Sequence, residues 1–251
     1  MNNLMKTWDA SEDFLRSLEL PQKTSSYAPI AHGEFIDLLQ SSIYSKGYEI
    51  KQGFYKTNSK GLQLTGRYDI LSDNQEFGMQ IAFSNSYNKT IKAQVASGIN
   101  SWACDNGKIF GDITFSRKHT GTVLEELREN IEKCVNYMED EFKKGVYILG
   151  QLKEKEITTK IAAELTGRAF IEQDIITATQ VGIIKDRLNF DENFKEMNAY
   201  CLYEHFTEAA KTCHATTQIK TLKQISDYFV NEFGILTEIP ITSKIEELEY
   251  A

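Results

Sequence analysis

The chain has 251 residues, of which 41% are hydrophobic and 25% charged, and its formal net charge is −8 at pH 7. This composition excludes a collagen-like or low-complexity chain, and the length allows one large or two small hydrophobic cores. Four cysteines in so long a chain exclude a small disulfide scaffold, and without a signal-peptide pattern or a long apolar run we expect a cytoplasmic protein that spans no membrane.

The charge is distributed unevenly along the chain. Residues 1–120 carry 13 Lys and Arg against 12 Asp and Glu, whereas residues 121–251 carry 15 against 24. Because an acidic surface repels polyanions, a nucleic acid or another anionic partner should contact the first half of the chain.

The chain begins with a lead-in and one amphipathic helix. Residues 1–30 predict a loosely attached segment with a short helix near residues 11–20, because the stretch that follows is polar and turn-like. Residues 32–45 repeat apolar side chains at helical spacing, which predicts a leading helix. Lys46-Gly47 follows this helix as a C-cap would.

From Tyr48 the apolar period changes to two, which is typical of strands. Residues 48–57 and 62–70 predict two strands joined by the turn-forming Asn58-Ser59-Lys60-Gly61, and residues 76–87 predict a third.

The stretch that follows leaves two interpretations open. Residues 90–104 could form one strand, or a short helix up to Gly98 and then a strand, and we favour a strand for the second half. Asp105-Asn106-Gly107 predicts a hairpin turn, because Asn and Gly tolerate the positive φ that such turns require. With a closing strand at 108–115, the pattern predicts an antiparallel sheet of about five strands.

The second half of the chain is helical. Residues 121–147 step their apolar side chains by three and four, which predicts one long helix. Its apolar side either packs on the sheet, which we favour, or mediates homo-oligomer formation. We therefore predict an α+β fold with a sheet half at 31–150, a helical half at 151–235 and a flexible acidic tail at 236–251.

A first candidate site is the polar turn after the third strand. It combines amide, hydroxyl and ammonium groups, which can bind phosphate or a nucleic-acid backbone. Its residues are Asn85, Ser86, Asn88, Lys89 and Lys92. The alternative is that Asn, Ser and Thr are simply good turn formers.

A second candidate site precedes the long helix. Arg117, Lys118, His119 and Thr120 place three basic side chains and a hydroxyl beside the predicted helix start. Because the first amides of a helix attract anions, these residues together predict an anion site. The alternative is a plain helix cap with two solvated bases.

Metal binding and catalysis find weaker support. Cys201 and His205 have the i,i+4 spacing of paired metal ligands, but Cys213-His214 are adjacent, unlike the spaced ligands of a zinc site. Cys104 could act as a nucleophile with His119 as its base, although burial as a small apolar residue is favoured. We therefore predict no metal, no cofactor and no catalytic residue, and favour a binding protein over an enzyme.

The two candidate sites also carry a family resemblance. Residues 85–88, 104–106 and 117–121 resemble the central motifs of the phage- and plasmid-related proteins of the domain-of-unknown-function 932 family. The resemblance covers about residues 30–230 and implies a phage, prophage or plasmid origin and a shared fold, but no reaction. Tyr87 and Asn88 stand where that family has His and Asp, which favours binding over catalysis here.

The leading functional hypothesis is a non-enzymatic nucleic-acid-binding protein of a phage or plasmid, acting on single strands in recombination or replication within the host cytoplasm. Four aromatic side chains could stack on bases, namely Tyr55, Tyr68, Tyr87 and Trp102. The alternative is a phage-encoded inhibitor or regulator that binds a host defence protein through the acidic half. A hydrolase that uses Cys104 and His119 is the third hypothesis.

Overall fold

The protein is an α+β structure in which helices precede and follow one antiparallel sheet, as the sequence pattern predicts. The computed structural model describes residues 7–102, 106–110, 115–119, 122–192, 194–213 and 215–239.

Seven strands form the sheet in the part of the chain that the structure describes. They are β1 (Thr7–Asp9), β2 (Ile50–Asn58), β3 (Gln63–Ile70), β4 (Phe77–Ser86), β5 (Ala93–Ser101), β6 (Asn106–Lys108) and β7 (Phe115–Arg117). Strands β1 to β5 lie side by side in chain order, and the short strands β6 and β7 pair with opposite ends of β5.

Two sequence predictions in this region need correction. Strand β5 is extended from Ala93 onward, so the alternative of a helix up to Gly98 is wrong. Asn106 and Gly107 do not form the predicted hairpin turn, because both pair with β5 as strand residues. Gly107 lies close to the side chain of Gln80, since a Cβ there would be 2.8 Å from its Oε1.

Seven helices complete the described fold. They are α1 (Glu12–Ser17), α2 (His32–Ser45), α3 (Val123–Lys153), α4 (Thr159–Ile171), α5 (Ala178–Phe190), α6 (Ala199–Ala210) and α7 (Ala215–Glu232). Side-chain caps begin several of them; for example, Thr177 and Gln180 form a capping box at α5. None of the helices within the described ranges combines the length and apolarity that crossing a bilayer requires.

One face of the sheet is apolar and buried. Side chains alternate along a strand, so Tyr68, Ile81, Phe83 and Val95 from neighbouring strands share this apolar face. It packs against α2 and the first half of α3, whose predicted apolar side is buried there. The long helix therefore uses that side within the fold, and the homo-oligomer alternative stays a prediction.

A second core joins the helical half to the far end of the sheet. The second half of α3 packs with α4 to α7, with residues of β4 and β5, and with Ile109 and Phe110, which follow β6. The contact is close at Gly145, where a Cβ would lie 2.2 Å from Cδ1 of Ile99. Lys108 on β6 and Glu204 on α6 form an ion pair of 2.8 Å, and both side chains are fully buried.

Residues 7–30 also contact the sheet half. Strand β1 pairs with β2, and Leu15 and Tyr27 are buried. Leu15 belongs to the core beneath the apolar face, so this part of the N-terminal segment contributes to the folded structure.

Candidate functional site

The second face of the sheet is polar, and it is the best candidate for a binding surface. The register places hydroxyl, amide and charged side chains of adjacent strands on this side, opposite the apolar face. This polar face consists of Phe54, Lys56, Thr65, Arg67, Asp69, Gln80, Ala82, Ser84, Gln94, Ala96, Asn100 and Ser116. Six of these residues are buried within the fold, and two of the six, Ala82 and Ala96, belong to the second core. The part of the polar face that is open to a partner is therefore formed by Phe54, Lys56, Thr65, Arg67, Gln94 and Ser116.

Helices α6 and α7 lie over one end of the polar face and leave a cleft of about 230 Å³. The sheet contributes Phe54, Arg67 and Gln80 to this cleft, among others. From the helices, Thr207, Lys211, Gln218, Ile219 and Leu222 line it. The cleft therefore combines apolar walls with cations and neutral hydrogen-bonding groups.

Arg67 is held firmly at one wall of the cleft. Its Nε lies 2.9 Å from Oδ1 of Asp69, and its guanidinium carbon lies 4.4 Å from the ring centroid of Phe54. Nδ2 of Asn100 donates to the second oxygen of Asp69 at 3.3 Å. These contacts fix the guanidinium over the aromatic ring, which orients it as a donor.

Gln80 lies at the floor of the cleft and is only 2% exposed. Its carboxamide packs against Gly107, and its Oε1 has no hydrogen-bond partner among the described residues. Buried amide groups nearly always have a partner in folded proteins, so an unpaired one is unusual and informative.

At the other end of the polar face, two predicted cations come together. The last ladder pair between β5 and β7 is Ala93 with Arg117, and Lys92 and Lys118 each lie one residue beyond it. Both lysines are exposed. Continued alternation of the strands puts them on the side of Gln94 and Ser116, which belong to the polar face.

Asn85 and His119, predicted from separate candidate sites, meet inside the fold. Nε2 of His119 lies 2.6 Å from Oδ1 of Asn85. Nδ2 of the same Asn85 donates to Nδ1 of His32 at 3.0 Å and to the carbonyl of Ile30 at 2.8 Å. His32 therefore carries its proton on Nε2, which lies 3.1 Å from the carbonyl oxygen of Gly61. These buried histidines join α2, β4 and the segment before α3.

Burial disfavours the charged form of both of these histidines. The pKa of His32 is lowered from 6.5 to about 4, chiefly because burial disfavours the charged imidazole. Burial also lowers the pKa of His119. The ring of His32 stacks on that of Tyr87 at 4.0 Å between centroids, and the Tyr87 hydroxyl accepts from the His32 backbone N–H.

The remaining residues of the first predicted site have different environments. Ser86 is buried and donates to the carbonyl of Ile91, and Asn88 accepts from the backbone N–H of Thr90 within its own turn. Lys89 is exposed, and its Nζ lies 4.6 Å from the ring centroid of Tyr27. Among these residues, Lys89 and Lys92 are the side chains that reach solvent most openly.

The other candidates are placed only in part. Arg117 pairs with β5 through its backbone, whereas Thr120, Cys104 and His214 lie outside the described residues. Burial raises the pKa of the Cys201 thiol to about 11 and lowers that of His205 to about 4. His205 lies beside Arg187, and Nε of Arg187 is 3.4 Å from Nδ1 of His205.

Two of the four predicted stacking aromatics are buried, whereas Tyr55 and Trp102 are half-buried. Tyr68 and Tyr87 are 1% and 6% exposed, so the expectation that they stack on bases is wrong. Phe54, Arg67 and Gln80 lie on the polar face and were not among the residues predicted from the sequence. The alternation of polar and apolar residues along β3 was the signal that could have identified Arg67.

No family model, curated protein or solved structure gives a significant match to this chain. The resemblance to the domain-of-unknown-function 932 family therefore depends on the motif residues alone and stays a prediction.

Proposed function

We propose that this chain binds single-stranded nucleic acid along the polar face of its sheet, as a non-enzymatic protein of a phage or plasmid. The observation that carries the proposal is the polar face itself, which has exposed lysines at both of its ends. The mobile-element origin is part of the proposal and depends on the family resemblance.

The positions of the cations fit a backbone that crosses several strands. Lys56 and Lys211 lie beside the cleft, and Lys92 and Lys118 lie where β5 and β7 meet. Ala96 on β5 is paired with Ala82, which lines the cleft. At the usual rise of a strand, Lys92 lies about 13 Å from Ala96 along β5. A strand of a few nucleotides can therefore place phosphates near both groups of lysines.

The shape favours a single strand over a duplex. Helices α6 and α7 cover part of the polar face, and a cleft of about 230 Å³ is far too small for a double helix. Phe54 supplies an aromatic ring within the cleft, and single-strand-binding proteins combine such rings with a basic groove.

The experiment is a fluorescence anisotropy titration of a labelled 20-nucleotide DNA strand in 50–200 mM salt. We expect the affinity to fall as salt increases, because released counterions drive phosphate binding. The double variant Lys92→Gln/Lys118→Gln removes two contacts and should reduce the slope of log affinity against log salt by about 1.4.

The matched control is Lys160→Gln/Lys185→Gln, which makes the same charge change at two exposed sites of the helical half. This control should leave both the affinity and the slope unchanged. The proposal is overturned if no salt-sensitive binding occurs at micromolar protein, or if the control weakens binding as much as the double variant.

The host-protein regulator remains the second candidate, because the solvent side of α3 is acidic. Its exposed carboxylates are Glu125, Glu129, Glu132, Glu139 and Asp140. Such a surface complements a basic partner. A pull-down from nuclease-treated host lysate tests this candidate. A host protein that binds the wild type stoichiometrically and is lost from the variant Glu129→Gln/Glu132→Gln supports it. A host protein that the variant still retains contradicts it.

A further inference from the structure

We infer that the cleft between the polar face and helices α6 and α7 is a pocket for one nucleobase of the bound strand. This inference rests on the proposed function and names the chemical group that the cleft recognises. It is drawn from the cleft walls, the unpaired carboxamide at the floor and the cations at the rim.

The walls suit a flat heteroaromatic ring. Ile219 and Leu222 from α7 face Phe54 and Ala82 of the sheet across the cleft. Apolar and aromatic side chains on both sides of a pocket are how proteins hold a base that has left its stack. A purely anionic ligand such as free phosphate would gain nothing from these walls.

The floor supplies the hydrogen bonds that a base edge requires. The carboxamide of Gln80 offers one acceptor and two donors, and its Oε1 is unpaired with respect to every described residue. The edges of nucleobases present donors and acceptors side by side, which a carboxamide matches in a two-bond contact. A bound base would satisfy the group that the fold leaves without a partner.

The rim places positive charge where the strand would continue. Lys56 is exposed on the sheet side of the cleft, and Lys211 lies on the helix side, where its Nζ is 2.8 Å from Oε2 of Glu208. The sugar and phosphates of a nucleotide whose base enters the cleft would lie between them. The cleft thus offers apolar walls to the ring of a nucleotide, hydrogen-bonding groups to the edge of its base and lysines to its phosphate.

The test compares two labelled 20-nucleotide strands of equal charge on the unaltered protein, one oligo(dC) and one abasic throughout. We expect the abasic strand to bind at least about tenfold more weakly, because stacking on an aromatic side chain contributes on that scale. Equal affinity for the two strands overturns the inference while leaving strand binding intact.

The variant Gln80→Met removes the carboxamide and keeps the side-chain length. It should reduce the affinity for oligo(dC) about fivefold or more, leave the affinity for the abasic strand and the salt slope unchanged, and raise the melting temperature, since a buried unpaired polar group is lost. Gln173→Met, at an exposed site after α4, is the control and should change nothing.

The failures of the two proposals are distinguishable. If neither strand binds in a salt-sensitive way, the proposed function fails. If both bind and Gln80→Met has no effect on oligo(dC), the nucleobase pocket fails and the function stands. A lower melting temperature for Gln80→Met would show that the carboxamide has a structural partner, which also contradicts the inference.

Discussion

Removing one member of the buried ion pair between Lys108 and Glu204 should destabilise the protein strongly. Both side chains are fully buried, and Nζ of Lys108 lies 2.8 Å from Oε1 of Glu204. The variant Lys108→Met leaves the buried carboxylate of Glu204 without this cation, and neutral hydrogen bonds such as the one from the Thr207 hydroxyl at 3.4 Å do not replace its charge. Breaking such a pair costs about 3–5 kcal/mol of unfolding free energy.

The double variant Lys108→Met/Glu204→Met should recover most of this loss. It leaves no charge to desolvate, and replacing a buried pair by apolar side chains of similar volume is often neutral. We expect the wild type and the double variant to have similar free energies of unfolding, and both values to be higher than that of the single variant. Urea unfolding followed by circular dichroism measures these free energies, and an unchanged m value checks that the same surface unfolds.

The matched control is Lys143→Met, which breaks an exposed i,i+4 pair with Glu139 on α3. Because both of these side chains are more than half exposed, its loss should be at most about 0.5 kcal/mol. A loss below about 1 kcal/mol for Lys108→Met, or a double variant less stable than the single, would refute the reasoning about the buried pair.

Two further predictions concern pH and packing. Unfolded His32 gains its proton near pH 6.5 while folded His32 stays neutral to about 4, so stability should fall by up to about 3 kcal/mol as pH decreases across that window. Urea titrations at pH 7.0 and 4.5 measure this. Because the pKa of His205 is also lowered to about 4, His32→Gln should remove only the part of the decrease that His32 contributes, and an unchanged profile contradicts the assignment. Gly98→Ala should cost at least about 1–3 kcal/mol, because its Cβ would lie 2.3 Å from the backbone oxygen of Lys108. Gly150→Ala, with no described atom within 4 Å of its Cβ, should instead stabilise α3 by up to about 1 kcal/mol, and the melting temperatures of the two variants should move in opposite directions.

The main elements of the fold could be predicted because each covers enough residues for its apolar periodicity to be recognised in the sequence. Strands β2, β3 and β4 alternate over eight to ten residues, and α3 repeats its apolar side over 31 residues. Strands β1, β6 and β7 have three residues each, which is too short for any period to appear. The turn preference of Asn106-Gly107 misled the prediction, because both residues pair with β5 in the sheet.

The candidate site could be predicted only in part. Lys92 and Lys118 were identified from local composition, and strand pairing brings them to one end of the polar face. The residues of the cleft are far apart in sequence: Phe54, Gln80 and Ile219 come from two strands and a helix near the end of the chain. No local motif connects them, so the cleft follows from the tertiary arrangement of α6 and α7.

Helix α3 belongs to both hydrophobic cores, and its 31 residues span about 46 Å at 1.5 Å per residue. The buried residues of the core beneath the apolar face run from Leu15 to Met138, so a cut near Phe142 would leave that core in one fragment. The other fragment would lose the sheet residues of the second core, and we expect it to be the less stable of the two.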